Sequence, residues 1–355
     1  MTDNATAAEL ARRIRQSGPI SIADYMSAVT EAYYARGDVF GVAGDFITAP
    51  EISQTFGELI GLWCAVVWRA MGAPAAFRLV ECGPGRGTLM KDLLRAAARV
   101  PDFNAGADIH LIERSAALKT LQRETLKDYG VTWHEDMSAV AEGPIILVAN
   151  EFLDALPIRQ FEKTAADWME RYVDVNEAGE FNIVLKSGAP ELAPVADAGA
   201  IFETSPTTTQ FISHISARIA RQGGAALLID YGHTATAAGE TLQAVKKHRP
   251  CRVFDTPGAA DLTAHVDFAA VADTARASGL TVHGPLAQGT WLSRLGIKLR
   301  GLQLAGGKPP DVAKTIESGI RRLTEPDAMG ELFKVIALTH PTLATPDGFQ
   351  QDAPS

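Results

Sequence analysis

The spacing of hydrophobic residues divides the chain into an N-terminal part and a longer remainder. In residues 1–72, apolar side chains recur at helical spacing, as in ADYMSAVTEAYYA and EISQTFGELIGLWCAVVWRAMG. The apolar run 59–68 in the second stretch predicts a buried helix face. Ser21 and Asp24 form a predicted capping pair before the first stretch, and Pro50 is suited to open the second. These patterns predict an N-terminal helical layer, interrupted by the glycine-containing loop RGDVFGVAGDFITAP.

Short β-rich runs alternate with helical stretches in the remainder, residues 73–340. The runs RLVECG, IHLIE, VTWHED, IILVANEF, AALLIDYG, TVHGPLA and LFKVIALTH predict about seven strands. Strands that alternate with helices are typical of a parallel sheet with right-handed crossovers. The sequence therefore predicts one α/β domain with an appended helical layer, rather than two independent domains.

Two segments interrupt this alternation. RQFEKT, WMERYVDV and EFNIVLK predict an antiparallel β insertion at 158–187, after the fourth strand. TWLSRLGIKLRGLQLA and DVAKTIESGIRRLT predict a helical insertion at 289–325, before the last strand. The segment between AALLIDYG and the helix DFAAVADTARASG is predicted to be irregular, and the polar residues 341–355 are predicted to form a flexible tail.

Composition and charge narrow the function classes. The 355-residue chain has 33 basic and 42 acidic residues and a net charge of −9, which argues against broad electrostatic binding of nucleic acid or anionic membrane. No apolar run approaches the ~20 residues that span a bilayer, and the N-terminus lacks the apolar core of a secretory signal. Three widely spaced cysteines and eight histidines without ligand-type pairing predict neither a disulfide framework nor a metal site. The expectation is a soluble protein of the bacterial cytoplasm, without membrane insertion.

The strongest local motif is ECGPGRG, at the end of the first predicted strand of the sheet. Glycines at a strand–helix junction allow a tight turn and let a ligand approach the N–H groups at the helix start. The GxGxG spacing differs from the GxGxxG of dinucleotide-binding folds. Acid-x-Gly-x-Gly-x-Gly instead resembles the first motif of class I S-adenosylmethionine-dependent methyltransferases, and a plain glycine-rich turn is the alternative. The candidate cofactor-binding residues here are Glu81, Gly83, Gly85 and Gly87, whereas Cys82 is predicted to serve packing.

Acidic residues end the next two predicted strands. Glu113 ends the second, where a carboxylate can accept both hydroxyls of a ribose. Asp136 and Met137 end the third, where class I methyltransferases commonly set an acid near the adenine amino group. Taken singly, Glu113 could be a charge that favours a helix N-terminus, and Asp136 a loop acid. Their order and strand register behind the glycine motif favour a cofactor site.

The sequence also resembles the MidA-like family. The resemblance runs from about residue 10 to about residue 340 and is carried by GDFITAPEISQTFGELIGLW (44–63), NEFLDALP (150–157), LLIDYGH (227–233) and DLTAHVDF (261–268). It implies a class I methyltransferase fold, S-adenosylmethionine as cofactor and S-adenosylhomocysteine as product. The family's mitochondrial members are assembly factors of respiratory complex I, which act as protein-arginine methyltransferases and symmetrically dimethylate a core subunit. A protein substrate of that kind is what the resemblance implies for this chain.

The fourth predicted strand ends in the candidate acceptor-binding residues Asn150, Glu151 and Asp154. An arginine guanidinium is charged in water, so its site needs carboxylates to orient it and to drain charge as it is alkylated. If the turn is helical, the i and i+3 spacing places both acids on one face. Glu151 is the predicted acceptor-facing acid, with Asp154 as its partner or as a cap. The alternative is that both only cap or pair locally with Arg159.

Several further polar residues are weaker candidates. In the resemblance, the loop with Asp45 and Glu51 lies over the cofactor, although Asp45 could equally hold a local turn. Gln54 and Glu58 are predicted to continue a polar helix stripe from Glu51 toward the cleft. His233 could act as a base but is more often structural in such a loop. His265 and Asp267 are predicted to organise a loop and to cap the helix that follows.

These observations favour an S-adenosylmethionine-dependent protein-arginine methyltransferase that acts on a complex I subunit. A non-catalytic S-adenosylmethionine-binding assembly chaperone and a small-molecule methyltransferase are the alternatives. An NAD-dependent oxidoreductase is disfavoured by the GxGxG spacing, and nucleic-acid methylation by the acidic chain and by NEFLDALP in place of an NPPY-type motif. A homodimer is compatible with the sequence, which does not set the oligomeric state.

Overall fold

Strands and helices alternate along most of the chain in the computed structural model, which describes residues 5–36 and 48–350. The helices are α1 (Ala5–Ser17), α2 (Ile22–Tyr34), α3 (Ala49–Ile52), α4 (Gln54–Ala70), α5 (Thr88–Ala97), α6 (Phe103–Gly106), α7 (Ala116–Thr125), α8 (Pro206–Gln222), α9 (Phe268–Ala277), α10 (Gln288–Arg294), α11 (Ile297–Ala305) and α12 (Pro310–Thr324). The strands are β1 (Ile20–Ser21), β2 (Phe77–Cys82), β3 (Ala107–Ile112), β4 (Val131–His134), β5 (Ile145–Asn150), β6 (Arg159–Lys163), β7 (Trp168–Val175), β8 (Phe181–Ser187), β9 (Ile201–Thr204), β10 (Gly224–His233), β11 (Gln243–Lys246), β12 (Arg249–Cys251), β13 (Asp261–Thr263), β14 (Val266–Asp267), β15 (Thr281–Ala287) and β16 (Phe333–Thr339).

The central sheet has the strand order β15-β16-β10-β5-β2-β3-β4. Strands β4, β3, β2, β5 and β10 run parallel, whereas β16 is antiparallel to both β10 and β15. The two-residue strand β14 adds to β10 as an eighth strand. The predicted α/β fold with a seven-stranded class I methyltransferase sheet is confirmed, with this short strand added.

Helices cover both faces of the central sheet, which explains the apolar character of its inner strands. Every residue of β5 and β16 is buried, as expected for strands that are covered on both sides. One face packs against α4 and α5 around Trp63, and the other packs against α8 and α9 around Phe268. Because α4 comes from the predicted N-terminal layer, that layer shares a core with the sheet.

The predicted antiparallel insertion after β5 is present and extends further along the chain than 187. Strands β6, β7 and β8 form it, and β9 joins it by pairing with β6. The N-terminal strand β1 pairs with β7 beyond the end of β6 and on the edge that β8 does not occupy, with Ile20 facing Val173. The inserted sheet therefore connects the N-terminal helices to the middle of the chain.

The segment between β10 and α9 was predicted to be irregular, and this prediction is wrong. It contains a second small antiparallel sheet, in which β11 pairs with both β12 and β13. Lys247 and His248 form the turn between β11 and β12 with φ values of +51° and +60°. Such turns favour Asn and Gly, so the sequence carries no turn signal at this point.

Two of the predicted helices are interrupted. Ser53 has an extended backbone, with φ of −155°, and its hydroxyl caps α4 by accepting a bond from the Thr55 N–H at 3.3 Å. Gly296 has φ of +83° and separates α10 from α11. The predicted capping pair before α2 is confirmed, because the Ser21 hydroxyl accepts from the Asp24 N–H at 3.0 Å.

Residues 341–350 pack against the fold instead of forming a flexible tail. Phe349 is buried, with its ring centroid 6.2 Å from that of Trp291. The indole N–H of Trp63 donates to the carbonyl of Asp347 at 3.2 Å. The prediction failed because the segment is mostly polar and contains a single aromatic residue, Phe349, which packs into the core.

Candidate functional site

The glycine loop between β2 and α5 has a backbone that glycine adopts easily. Gly83, Gly85 and Gly87 have φ values of +66°, +52° and +82°. A Cβ added to Gly83 would lie 3.0 Å from Cδ2 of Phe152. The N–H of Gly87 donates to the carbonyl of Pro84 at 2.7 Å and closes the loop before α5. The loop therefore presents main-chain atoms, rather than bulky side chains, at the edge of the sheet.

A cavity that opens to solvent lies beside this loop, and the empty space at this site, open solvent included, is about 430 Å³. Glu81 and Asn150 line it from the ends of β2 and β5, and both are buried, with exposed fractions of 2% and 7%. Among the described residues, Glu81 Oε2 and Asn150 Oδ1 have no hydrogen-bond partner. Burial raises the pKa of Glu81 to about 8. Buried acceptors are normally hydrogen-bonded, so these two unpaired oxygens favour a polar ligand. The cavity therefore fits a molecule that brings hydrogen-bond donors to the loop.

Glu113 follows β3 and is held by neighbouring donors. Its Oε1 accepts from the Ser115 N–H at 2.8 Å, and its Oε2 accepts from Gln122 Nε2 at 3.1 Å. Burial raises the pKa of Glu113, and these bonds oppose the rise. Each carboxylate oxygen has two lone pairs, so both oxygens keep acceptor capacity for the hydroxyl pair that the sequence predicts.

The side chain of Gln122 in α7 connects three parts of this edge of the sheet, and sequence reasoning missed it. Besides its bond to Glu113, Nε2 donates to the carbonyl of Gly85 at 2.8 Å, and Oε1 accepts from Trp133 Nε1 at 2.9 Å. The residue has no exposed surface. Polar residues are common along an amphipathic helix, so nothing in the sequence distinguishes Gln122 from its exposed neighbours.

Asp136 and Met137 follow β4 at the same edge of the sheet. The exposed Asp136 caps the 3₁₀ turn Met137–Ala139, with Oδ1 accepting from the Ser138 N–H at 2.8 Å. Hydrogen bonds from Ser138 lower the pKa of Asp136. Met137 is buried in the core on the α8–α9 face of the sheet. A contact of either residue with adenine stays a prediction.

Glu151 follows β5 in a left-handed conformation, with φ of +50°. Its Oε1 accepts from the Ala49 N–H at 3.1 Å and from Asn150 Nδ2 at 3.2 Å, and the side chain lines the cavity at the glycine loop. Burial, with Asp154 as a smaller contributor, raises the pKa of Glu151 to about 7. The positive φ means that the turn is not helical, so helical i and i+3 spacing does not relate Glu151 to Asp154.

Asp154 and Asp230 are two buried carboxyl groups beside the half-buried Glu151. Burial raises the pKa of Asp154 to about 6, against a hydrogen bond from the Tyr231 hydroxyl. Burial also raises the pKa of Asp230, and both Asp154 and Glu151 add to that rise. In the sequence analysis, Asp230 is part of the motif LLIDYGH (227–233) and has no role of its own. The sequence feature that could have indicated a role is that Asp230 is a charged residue within the otherwise apolar run LLIDYG.

Arg159 does not pair with either acid of the turn. Its Nε and Nη2 atoms bind the two carboxylate oxygens of Glu170 at 2.7 and 2.6 Å. Within the described residues, Glu151, Asp154 and Asp230 form no ion pair. The alternative in which the turn acids pair locally with Arg159 is therefore wrong.

The predicted polar stripe toward the cleft is only partly present. Glu51 accepts from the Thr88 hydroxyl and lines the cavity. Glu58 lies elsewhere, because the helix is broken at Ser53, and its carboxylate binds Arg95 at 3.0 Å and Arg300 at 2.7 Å. Gln54 donates to Glu58 at 3.1 Å, so both belong to an ion-pair network between helices. Asp45, the remaining loop candidate, lies outside the described residues.

The two histidine candidates lie on the β10–β14 side of the acceptor turn. His233 Nε2 is 3.8 Å from Asp267 Oδ2 and is partly exposed. Asp267 caps α9 as predicted, with Oδ1 accepting from the Ala270 N–H at 3.0 Å. His265 packs edge-on against Tyr231, and burial lowers its pKa. Neither histidine lines the cavity at the glycine loop.

A membrane-spanning helix and a cluster of metal-binding side chains are both absent from the described parts of the chain. Between residues 5 and 36 and between 48 and 350, no helix has the length and apolar character needed to cross a bilayer. Within the same ranges, no group of His, Cys, Asp and Glu side chains has an arrangement that could hold a metal ion.

Comparisons with known proteins agree with this geometry. Residues 59–286 match the family described as "Putative S-adenosyl-L-methionine-dependent methyltransferase". The chain is 36% identical to the mitochondrial protein arginine methyltransferase NDUFAF7 of Homo sapiens, over 92% of this chain and 81% of the relative. It is also 36% identical to the Drosophila melanogaster homolog, over 95% of this chain and 85% of the relative.

Two crystal structures of Burkholderia thailandensis proteins share the fold. One was determined with S-adenosyl-homocysteine bound and superposes with a TM-score of 0.82 at 28% identity, covering 98% of this chain and 94% of the other. The second, determined in a native form, has a TM-score of 0.83 at 31% identity with the same coverage. The resemblance stated from the motifs is confirmed, and the chain belongs to this family of S-adenosylmethionine-dependent methyltransferases.

Proposed function

We propose that the protein transfers a methyl group from S-adenosylmethionine to an arginine guanidinium of a protein partner. The observation that carries the proposal is the group of three carboxyl side chains Glu151, Asp154 and Asp230, which no described cation pairs with. Asp154 and Asp230 are buried and Glu151 is half-buried, and the charge of Arg322 is the smallest of the influences on the pKa of Glu151. Acids in such surroundings that form no ion pair favour a cationic acceptor, because the acceptor would neutralise charge that burial makes costly. The names of the similar proteins, protein arginine methyltransferases, support the same acceptor.

The cofactor would lie along the carboxyl ends of β2, β3 and β4. The main chain of Gly83, Gly85 and Gly87 would contact it, Glu81 would receive its donors, and Glu113 would accept the ribose hydroxyls. Asp136 and Met137 would border the adenine, and we retain Asp45 as a contact from the covering loop. When bound, S-adenosylmethionine supplies an electrophilic methyl group on a sulfonium.

Glu151 would be the catalytic residue and would touch the acceptor guanidinium, with Asp154 and Asn150 beside it. A guanidinium nitrogen that gains a methyl carbon must lose one proton, so that the product keeps a single positive charge. A carboxylate oxygen of Glu151, with a pKa of about 7, is matched to accept that proton near neutral pH. Alignment of the acceptor by these groups can lower the activation free energy of methyl transfer by about 7–11 kcal/mol.

The partner would be a protein rather than a nucleic acid. The MidA-like resemblance makes a core subunit of respiratory complex I the first candidate. We retain the bacterial cytoplasm, which the sequence analysis predicts, as the expected place of action. The net charge of −9 disfavours nucleic acid as a partner.

The test combines cofactor binding with methyl transfer. Calorimetry with S-adenosylmethionine, with NADH as control, should give micromolar binding of the first compound only. Wild-type protein, Glu151→Gln and the exposed-site control Glu177→Gln are then incubated with labelled S-adenosylmethionine and extract from cells of the source organism that lack the gene. We expect wild type and Glu177→Gln to place the label in a polypeptide as methylarginine, and Glu151→Gln to place none. Cofactor binding with label only on small molecules, or with no label at all, would contradict the arginine acceptor.

A further inference from the structure

A carboxyl group on a neighbouring strand holds the turn that carries Glu151. Asp230 lies in β10 with an exposed fraction of 1%. Its Oδ2 accepts three consecutive backbone N–H bonds, from Phe152 at 3.1 Å, Leu153 at 2.9 Å and Asp154 at 3.2 Å. Its Oδ1 accepts a fourth, from the Tyr231 N–H at 2.9 Å. One side chain thus receives most of the main-chain donors of the turn.

The turn needs such an anchor because its first residue has an unfavourable backbone. Glu151 has φ of +50°, a conformation that a residue with a Cβ adopts only when its surroundings enforce it. The Glu151 N–H donates to the carbonyl of Ile229 at 2.9 Å. Bonds to Ile229 on one side of the turn and to Asp230 on the other therefore fix the direction of Glu151 relative to β10.

The chemistry of this anchor favours a carboxylate over any other side chain of its size. Consecutive N–H groups that converge on one point form a concave site for an anion. A carboxylate accepts on both oxygens, whereas an amide offers one acceptor and turns an NH₂ group toward donors on the other side. Asp230 keeps this position although Asp154 and Glu151 are close enough to disfavour its charge.

We propose that Asp230 is a positioning residue of the acceptor site, whose carboxylate aims Glu151 at the cavity beside the glycine loop. This inference rests on the proposed function of Glu151, and it names a residue to which nothing in the motif analysis gave a role. Loss of the anchor would let the turn relax from the positive φ and move the Glu151 carboxylate away from the acceptor. The cofactor contacts lie on other strands, so cofactor binding would be preserved.

The experiment compares wild type, Asp230→Asn and the surface control Asp273→Asn in α9. Hydrogen exchange at the amides of 152–154, thermal unfolding, the affinity for S-adenosylmethionine and the rate of label transfer into the extract polypeptide are measured. In Asp230→Asn we expect exchange at 152–154 to rise about tenfold and transfer at saturating cofactor to fall about thirtyfold, with cofactor affinity changed by less than about twofold. Unchanged exchange and an unchanged transfer rate in a folded Asp230→Asn protein would overturn the proposal.

Wild-type exchange provides a second test that needs no variant. The amides of 152–154 lie in a turn without helix or strand bonds, yet they should exchange as slowly as those of β10. If they exchange as fast as the exposed turn at 177–179, Asp230 does not hold them and the inference fails. Slow exchange in a wild-type protein that methylates no arginine would instead contradict the proposed function alone, so the two failures are distinguishable.

Discussion

Acids lie at two places along the carboxyl ends of the parallel strands, which we call the cofactor edge (Glu81 and Glu113, at β2 and β3) and the acceptor edge (Glu151, Asp154 and Asp230, at β5 and β10). The groups that surround the acids differ between the two. At the cofactor edge, neutral donors hold Glu113, and their hydrogen bonds lower its pKa against the effect of burial. At the acceptor edge, Asp154 adds to the effect of burial on the pKa of Glu151, and both Asp154 and Glu151 add to it for Asp230. The first arrangement suits a ligand that offers hydroxyl groups, whereas the second suits a ligand that brings positive charge.

Removal of the negative charge of Glu151 at the acceptor edge should have the largest effect. Glu151→Gln keeps the shape of the side chain but removes the base and the charge that orient a guanidinium. We expect methyl transfer to fall by about 10²–10³-fold while the calorimetric affinity for S-adenosylmethionine stays within about twofold. Glu177→Gln, in the exposed turn between β7 and β8, should behave as wild type. An equal loss of cofactor affinity in Glu151→Gln would mean that the two edges are one site.

Glu113→Gln at the cofactor edge should have the opposite effect, with weaker cofactor binding and little loss of methyl transfer at saturating cofactor. Loss of the acid that accepts two hydroxyl groups should weaken S-adenosylmethionine binding by about 10- to 100-fold, as charged hydrogen bonds contribute about 1.5–3 kcal/mol. Transfer at saturating cofactor should be largely recovered. Glu124→Gln, an exposed acid on the same helix as Gln122, is the matched control. Normal cofactor affinity in Glu113→Gln would remove Glu113 from the cofactor site.

The pH dependence of transfer should report the acceptor edge. The pKa of Glu151 is raised to about 7 and that of Asp154 to about 6, so the ionised, cation-binding forms accumulate as pH rises. At saturating cofactor, kcat/KM for the acceptor should rise about tenfold between pH 6 and pH 8 and then level off, as expected for a group with a pKa of about 7. Because the groups interact, the midpoint belongs to the cluster rather than to one residue. Glu151→Gln should flatten this rise in its residual activity, and a rate that falls with pH would contradict the charge argument.

The smallest expected effect belongs to Gln122→Ala. The cofactor edge would lose the amide that fixes Glu113 and the Gly85 carbonyl, which should weaken S-adenosylmethionine binding by about fivefold, or about 1 kcal/mol. The buried indole N–H of Trp133 would also lose its acceptor, so unfolding should require about 1–3 kcal/mol less. Gln222→Ala, which removes a bond to the Gly143 N–H at the far end of the sheet, is the control. Unchanged cofactor binding would restrict Gln122 to a role in stability.

Much of this comparison could be predicted from local sequence. Glu81 lies near the end of an apolar strand, and the glycines of the loop, Glu113 and Glu151 follow apolar strands. Residues at the ends of parallel strands meet at one edge of a sheet. Those positions are fixed by periodicity and turn chemistry, which short stretches of chain contain. The break at Ser53, by contrast, redirected Glu58 into an ion-pair network, because a single extended residue changes the face that a helix presents.

The sequence by itself determined the strand–helix alternation, the glycine loop, the acids at three strand ends and the two insertions. Only the tertiary structure decided that Asp230 reaches the 152–154 amides, that Gln122 bridges Glu113 and Gly85, and that Arg159 pairs with Glu170. The first group depends on backbone preferences and hydrophobic spacing, which act over a few residues. The second depends on which side chains face each other across distant segments, and this follows from packing that no local pattern encodes.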